Sequence, residues 1–218
     1  MIRAVIFDFD GVIIESAQLK TEAFRKLFSQ WPNKVDQIVS YHLKNMGVSR
    51  YVKIKYFYGS VLNEPYTEEV GAELGRQFSD IVLDEVMKAP FVKGTLNFLE
   101  KKYRDYLLFI ASGTPESELY EIINYRDIKK YFTQIFGTPA TKTAIIKQIM
   151  KRYSLQKDQV VFVGDAESDL NAARATGIPF ILRITPENDH LKDSSKYMID
   201  NLMQLEEQIG KVEEEMRN

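Results

Sequence analysis

Two aspartates near the start of the chain are the residues whose type and spacing most directly offer chemistry. Asp8 and Asp10 follow the apolar run 4–7, and Gly11 comes directly after them. Side chains alternate along a strand, so two aspartates separated by one residue share a face while the chain stays extended. Such a pair can hold a hard cation, and one of its carboxylates can act as a nucleophile. Acidic residues also end many ordinary strands, so this prediction needs support from elsewhere in the chain.

Further polar residues follow other apolar runs or open a predicted helix. Because open α/β sheets bind their ligands at the carboxyl ends of parallel strands, these positions predict one shared site at one edge of a sheet. They are Ser112 and Gly113 after the run 107–111, Lys142 near the start of the helical stretch 141–153, and Asp165 and Asp169 after the run 160–163.

These residue types together suit a phosphate ester. A phosphomonoester is an anion that repels an attacking carboxylate, so the site must be electropositive. Mg²⁺ prefers carboxylate and carbonyl oxygens, which predicts a magnesium site made by Asp8, Asp165 and the backbone carbonyl of Asp10. Asp169 is expected to bind the ion directly or to support the residues that do. Lys142 adds a positive charge that can pair with both Asp8 and the phosphate.

The segment after the second apolar run offers hydrogen-bond donors to the phosphate. The hydroxyl of Ser112 and the amide of Gly113 can both reach its oxygens, because glycine allows a close approach. Thr114 and Pro115 then predict an N-cap followed by proline at the first helical position. We therefore expect this helix to direct its amino end at the anion.

The four motifs, in this order, resemble those of the haloacid dehalogenase-like hydrolase superfamily over nearly the whole chain. They are the segment 8–12, Ser112, Lys142, and the segment from Gly164 and Asp165 to Asp169. The resemblance implies that Asp8 attacks phosphorus to form an aspartyl phosphate. It also implies that Asp10 protonates the leaving oxygen and then activates water. The true dehalogenases of the superfamily lack an aspartate at this second position, so dehalogenation is not expected here.

Several of these residues also have ordinary structural interpretations. Ser112 can simply cap the following helix. Lys142 can be a solvated helix lysine, and Asp169 can favour the dipole at the start of its own helix. Glu15 stands where relatives often have aspartate, so its role stays open.

The elements that must position these residues follow from the apolar pattern. After Gly94, strands alternate with helices, which predicts a doubly wound parallel sheet. The distance between the first two motifs exceeds what one crossover helix needs, and residues 16–88 carry helical stripes. By the resemblance we expect an α/β fold in which residues 1–15 and 89–218 form a Rossmann-like core and residues 16–88 an inserted α-helical cap. The predicted elements after residue 94 are helices at 95–104, 115–126, 141–153 and 167–176 and strands at 106–111, 134–136, 160–164 and 180–182.

Three residues of the expected cap are candidates for substrate recognition. The segment 47–50 resembles a cap loop of β-phosphoglucomutase and related phosphatases, in which the arginine reaches toward the substrate. Arg50 can therefore bind a carboxylate or a second phosphate, although it is equally well explained as an exposed arginine at a helix start. Lys20 stands where such mutases carry a histidine. His42 lies in the same polar stretch, although packing is its commoner role.

Composition agrees with a globular enzyme. The chain has 218 residues, a net charge of −2 and no cysteine. A near-neutral charge argues against nucleic acid as a partner, and no apolar run approaches the length that spans a membrane. The lack of cysteine excludes disulfides and is compatible with a cytoplasmic location.

The carboxyl-terminal residues predict one more helix with a single apolar face. This face is either a dimer contact or packs on the same chain, and its short length favours packing. We therefore expect a monomer or a weak homodimer. The residues of the face are Leu202, Leu205, Ile209, Val212 and Met216.

The sequence thus predicts a Mg²⁺-dependent phosphatase of the helical-cap type, similar to phosphoglycolate phosphatase and β-phosphoglucomutase. Its substrate is expected to be a small phosphorylated metabolite hydrolysed through an aspartyl phosphate. One alternative is a phosphosugar mutase, which the lysine at position 20 makes less favourable. The other is a binding module without turnover, although such a module need not keep both Asp8 and Asp10.

Overall fold

Six short runs of apolar residues form one parallel β-sheet in the computed structural model, which describes residues 1–217. The central strands are buried on both faces, as parallel strands between two helical layers must be. The strands are β1 (Ala4–Phe7), β2 (Leu107–Pro115), β3 (Gln134–Thr138), β4 (Val160–Gly164), β5 (Phe180–Arg183) and β6 (Tyr197–Ile199).

The order of the strands brings the predicted motifs together. The sheet runs β3-β2-β1-β4-β5-β6, so the chain moves outward on one side of β1 and then on the other. Ile6 of β1 lies level with Phe109 of β2 and with Phe162 of β4. The direction reverses between β1 and β4, where open α/β sheets place their ligands. The prediction of a doubly wound parallel sheet is confirmed.

Helices cover both faces of the sheet. Apolar residues of α5, α6 and α9 pack on one face with Val5 and Phe7, whereas those of α7 and α8 pack on the other face with Ala4 and Ile6. The helices are α1 (Ala17–Leu27), α2 (Pro32–Lys44), α3 (Arg50–Tyr56), α4 (Glu68–Lys88), α5 (Thr95–Lys102), α6 (Glu116–Tyr125), α7 (Lys142–Arg152), α8 (Glu167–Thr176) and α9 (Leu205–Arg217).

Residues 17–88, here called the inserted segment, lie between β1 and β2 and contain α1 to α4. Their centre is aromatic: the rings of Phe24 and Phe78 are 4.5 Å apart, and Phe57 meets Phe24 edge to face. α3 continues directly into a short π-helix at Phe57–Leu62. The buried apolar side chains of the inserted segment are continuous with those that pack on β1, and the segment lies above the edge of the sheet where β1 ends.

The structure corrects the prediction for the second motif. We expected the strand to end at residue 111 and Thr114 to cap the next helix, but β2 continues to Pro115 and α6 begins at Glu116. Pro115 is the N-cap residue, in an extended conformation. The strand continues because its end pairs with β3 at Thr138. The hydroxyl of Thr114 binds Asp10 instead of capping the helix.

The last strand was not predicted from the sequence, and the last helix packs as expected. β6 spans Tyr197–Ile199 and is too short to show an apolar alternation. Four of the five apolar residues of the carboxyl-terminal face are buried, and only Met216 is exposed. Among residues 1–217, none of the helices combines the length and the apolar character that crossing a membrane requires.

Candidate active site

The loop after β1 fixes the first aspartate at the edge of the sheet. The amide of Asp8 donates to the carbonyl of Val163 in β4, and the Asp8 carboxylate accepts from the amide of Phe9 at 2.7 Å. Gly11 has φ of +76°, and a Cβ there would lie 2.1 Å from Oδ2 of Asp165. Only glycine allows this turn and this close approach. The strand end therefore places Asp8 beside Asp165.

Lys142 bridges two of the predicted acidic residues. It is the first residue of α7, and its Nζ lies 2.9 Å from Asp8 and 2.5 Å from Asp169. The side chain is buried, so the alternative of a solvated lysine is wrong. Burial alone lowers the pKa of Lys142, but the two carboxylates outweigh it and raise the pKa above its usual range. Lys142 therefore stays charged.

Three buried carboxylates form a cluster that fits a metal ion. Oxygens of Asp8, Asp165 and Asp169 lie within 4.8 Å of one another. Both oxygens of Asp169 accept hydrogen bonds, from Lys142 and from the amide of Ala166. Oδ2 of Asp165 is buried without a hydrogen-bond partner among the described residues. A buried carboxylate oxygen without a hydrogen-bond donor is free to bind a cation. The three residues therefore fit a metal ion.

The cluster is electrostatically unfavourable without a cation. Burial raises the pKa of Asp8 even though Lys142 opposes the shift. Burial, together with repulsion from Asp8 and Asp169, raises the pKa of Asp165 well above its usual range. A divalent cation among these carboxylates would reverse both shifts.

The second aspartate faces the inserted segment. Asp10 accepts hydrogen bonds from the hydroxyl of Ser16 at 2.6 Å, from Nζ of Lys20 at 2.5 Å and from the hydroxyl of Thr114 at 2.9 Å. Burial alone raises its pKa, but Lys20 and these donors lower the pKa overall. Sequence reasoning selected Lys20 but missed the contacts of Ser16 and Thr114, which depend on three separate segments meeting.

The second motif lies where the inserted segment comes closest to the sheet. The hydroxyl of Ser112 accepts from the amide of Thr114, so it does not cap α6. A Cβ on Gly113 would lie 2.4 Å from the carbonyl oxygen of Gly47. Gly47 has φ of +72° and itself approaches the side chain of Ser168. The loop before α3 therefore closes over the end of β2.

Arg50 begins α3 as predicted, but it is buried and not exposed. Its guanidinium forms a two-pronged ion pair with Glu118 of α6, at 2.6 and 2.9 Å, and donates to Ser79. It also lies 4.5 Å from the centre of the Phe78 ring. Arg50 therefore joins the inserted segment to the core, and its charge is already matched. Glu118 was not selected from the sequence, because nothing in α6 marks it.

His42 is buried and packs on Phe24, in agreement with the structural interpretation of this residue. Burial, with the nearby charge of Lys53, lowers the pKa of His42 to about 2. Its Nδ1 lies 2.9 Å from Nζ of Lys53. Lys53 was not among the selected site residues, although it is three residues after Arg50 and therefore on the same side of α3.

Glu15, whose role the sequence left open, forms an ion pair at the carboxyl end of the sheet. Its carboxylate forms an ion pair with Arg183 at the end of β5, and Arg183 also donates to the carbonyl of Gly11. Asn188 donates to the carbonyl of Asp165 at 2.6 Å. These three contacts hold the loops that carry the first and fourth motifs.

A cavity of about 50 Å³ lies between the sheet edge and the inserted segment. It is lined by Asp8, Asp10, Gly113 and Asp165 from the core side. Lys20, His42, Arg50 and Lys53 line it from the inserted segment. The structure therefore brings candidates from both parts of the chain to one partly open cavity, whereas Ser112 and Lys142 line a neighbouring cavity that shares Gly113.

Comparison with known proteins agrees with this geometry. A protein of Thermotoga maritima named phosphorylated carbohydrates phosphatase is 26% identical over 185 residues, which cover 81% of this chain and 82% of that protein. A phosphoglycolate phosphatase of Pasteurella multocida is 24% identical, over 80% of this chain and 82% of its own. The crystal structure of a predicted phosphatase from Clostridium acetobutylicum superposes with a TM-score of 0.75 at 18% identity, covering 97% of this chain and 99% of that one. The crystal structure of CbbY from Rhodobacter sphaeroides in complex with phosphate superposes with a TM-score of 0.73 at 15% identity, covering 94% of this chain and 96% of that one.

The family model described as haloacid dehalogenase-like hydrolase matches residues 5–183, most of the chain and all four motifs. The fold, the order of the motifs and this match agree with one another. The chain belongs to the haloacid dehalogenase-like hydrolase family.

Proposed function

We propose that this protein is a phosphatase that hydrolyses a small phosphorylated metabolite, with Asp8 as the nucleophile. The observation that carries the proposal is the position of Asp8: it is buried, contacts Lys142 and lines a cavity together with Asp10. The names of the Thermotoga and Pasteurella relatives support the same class of reaction. The small cavity favours a small leaving group.

In the first half of the reaction, a carboxylate oxygen of Asp8 bonds to phosphorus and the ester P–O bond breaks. The leaving oxygen takes a proton from the carboxyl group of Asp10. Asp10 is ionised among its three donors, so it must take up this proton when the substrate binds. The negative charge of the phosphoryl group beside Asp10 favours that uptake, because like charges raise the pKa of a carboxyl group. The residues we propose to hold the phosphoryl oxygens are Ser112, Gly113 and Lys142.

In the second half, the carboxylate of Asp10 accepts a proton from water, and the water oxygen bonds to phosphorus. The bond between phosphorus and Asp8 breaks, which releases inorganic phosphate and restores the carboxylate. Lys20 and Thr114 hold Asp10 in place through both halves. The low pKa of Asp10 suits the deprotonated form that this half requires.

The residues that we propose to hold a magnesium ion are Asp8 and Asp165, with the backbone carbonyl of Asp10. Asp169 is engaged by Lys142 and by the amide of Ala166, so we assign it the supporting position. When bound, the ion would offset the negative charge of the phosphoryl group and of Asp8. The observation that supports this assignment is Oδ2 of Asp165, which has no hydrogen-bond partner in the part of the chain that the structure describes.

We also propose that residues 16–88 act as a cap domain on a core formed by residues 1–15 and 89–218. The cap would exclude water from the aspartyl phosphate and select the leaving group. The ion pair between Arg50 and Glu118 and the contact between Gly47 and Gly113 support a closed arrangement of the two parts.

The test measures phosphate release from sugar phosphates, phosphoglycolate and nucleoside monophosphates, with Mg²⁺ or with EDTA. We expect release that requires metal and that the Asp8→Asn variant abolishes. The matched control is Asp158→Asn, which makes the same change at an exposed position outside the cavity.

Two other results would contradict the proposal. Isomerisation of a sugar phosphate after priming with a bisphosphate, without net release, would indicate a mutase. Ligand binding without either reaction would indicate a binding module.

A further inference from the structure

Three basic side chains line the cavity, and only one lacks an acidic partner among residues 1–217. Lys20 contacts Asp10 at 2.5 Å, and Arg50 contacts Glu118 at 2.6 Å. Lys53 is 2% exposed and makes no ion pair within the described part of the chain. The charges of Lys20 and Arg50 are therefore already neutralised, whereas that of Lys53 is available to a ligand.

A chain of hydrogen bonds holds Lys53 in position. Its Nζ lies 2.9 Å from Nδ1 of His42, and Nε2 of His42 lies 3.2 Å from the hydroxyl of Thr21. The Thr21 hydroxyl donates to the carbonyl of Ala17. Since His42 is neutral, its Nδ1 accepts from Lys53 and its Nε2 donates to Thr21. An ammonium group has three N–H donors, so two of those on Lys53 remain for a ligand.

The surroundings of Lys53 make an unmatched charge costly. Its Nζ lies 5.6 Å from the centre of the Phe24 ring, and Phe78 lines the same cavity. A buried cation without a counter-charge is unfavourable, and an anion placed beside it recovers that cost.

We propose that Lys53, positioned by His42, binds a second anionic group on the leaving-group side of the substrate. The substrate class is then a small phosphomonoester that also carries a carboxylate or a second phosphate. This inference rests on the proposed phosphatase function, because the first phosphate must be at Asp8. Lys53 thereby determines specificity, and His42 is a positioning residue.

Two observations agree with this substrate class. The cavity that Asp8 and Lys53 both line has a volume of about 50 Å³, which favours a short leaving group. Burial, with the charges of Lys20 and Lys142 nearby, lowers the pKa of Lys53 to about 7. An anion beside the ammonium group would raise that pKa again and keep Lys53 protonated.

The experiment compares 2-phosphoglycolate, ethane-1,2-diol bisphosphate and ethyl phosphate, which differ in the group opposite the phosphate. We measure kcat/KM for each with the native chain, Lys53→Met and Lys26→Met, which removes an exposed lysine of α1. We expect the native chain to prefer an anionic substrate over ethyl phosphate. Lys53→Met should reduce that preference about tenfold to a hundredfold, the range for a lost charge-assisted hydrogen bond, whereas Lys26→Met should retain it. Which of the two anionic compounds is preferred shows whether the second anionic group is a carboxylate or a phosphate.

A second measurement keeps the inference testable without turnover. We measure binding of the same three compounds to Asp8→Asn by calorimetry, with and without Lys53→Met. Lys53→Met should lower the affinity for the anionic ligands by the same tenfold to hundredfold. His42→Phe should raise KM for the anionic substrate more than it lowers kcat, because it displaces Lys53 without removing its charge.

The outcomes separate the two proposals. If the native chain releases phosphate with no preference for the anionic compounds, or if Lys53→Met leaves the preference unchanged, the inference is wrong and the phosphatase function stands. If no compound releases phosphate but the anionic ligands bind through Lys53, the phosphatase function is wrong and the anion site stands.

Discussion

At the scale of single residues, Lys53 shows a conflict between stability and recognition. Its side chain is buried beside Phe24, and within residues 1–217 it contacts neutral His42 and no carboxylate. Binding sites commonly retain groups that reduce the stability of the folded chain. The cost should appear in the free energy of unfolding, where it can be measured independently of any substrate.

We predict that Lys53→Met changes stability in a pH-dependent way. The pKa of Lys53 falls from 10.5 to about 7 on folding, mainly through burial and also through Lys20 and Lys142. Below pH 7 both states hold the proton and the folded state bears the full cost. Above pH 7 the folded state releases the proton while the unfolded state keeps it, so the native chain gains stability as the pH rises.

The free energy of unfolding of Lys53→Met minus that of the native chain should therefore fall from pH 7 to pH 9, by up to about 1.4 kcal/mol per unit. Urea denaturation at pH 6, 7, 8 and 9 measures it, with Lys26→Met as the control. A difference that stays constant across this range would show that Lys53 does not change its protonation on folding. Such a result would leave its role as a cation intact.

At the scale of elements, one ion pair connects α3 of the inserted segment with α6 of the core. We predict that Glu118→Gln destabilises the protein by about 3 kcal/mol, because Arg50 is left buried without a counter-charge. Thermal denaturation and amide hydrogen exchange in α3 measure the effect, and exchange should accelerate there more than in β4. Glu121→Gln, an exposed change in the same helix, is the control. Equal effects of the two variants would show that the ion pair contributes nothing.

A second prediction at this scale concerns the contact between β2 and the loop before α3. Gly113→Ala should hinder closure, because its Cβ would lie 2.4 Å from the carbonyl oxygen of Gly47. Its backbone does not have positive φ, so the core should still fold. We expect KM to rise at least tenfold and the melting temperature to change little. Gly210→Ala is the control, because its Cβ would meet no atom of residues 1–217 within 4 Å. A Gly113→Ala variant with native KM would contradict the predicted closure.

At the scale of the whole molecule, the site residues that could be predicted from the sequence are those placed by the ends and the order of the strands. Apolar runs placed Asp8, Ser112 and Asp165 at one sheet edge, because parallel strands share the direction in which they end. The contacts of Arg50 with Glu118 could not be predicted, since they depend on how the inserted segment lies on the core. The bond between Thr114 and Asp10 was missed because it depends on β2 continuing past residue 111 beside the loop that follows β1. Long-range contacts of polar side chains leave no periodic trace in a sequence.

The proposed metal site connects this architecture to the stability of the whole chain. Asp8, Asp165 and Asp169 gather near the switch point of the sheet, and repulsion among them opposes folding when no cation is bound. A cation that binds only the folded chain stabilises it by mass action, by about 2.7 kcal/mol at a hundred times its Kd. We therefore predict that Mg²⁺ raises the melting temperature of the native chain and that EDTA reverses the rise.

Asp165→Asn should have opposite effects in the two conditions. In EDTA it should raise the melting temperature, because it removes one of three clustered charges and supplies an amide that can donate a hydrogen bond. With Mg²⁺ it should lose most of the metal-induced rise, because the partnerless oxygen of Asp165 is the ligand we assign to the ion. Asp158→Asn should behave like the native chain in both conditions. An Asp165→Asn variant that keeps the full rise would place the ion elsewhere, and one less stable than the native chain in EDTA would show that the charge of Asp165 does not oppose folding.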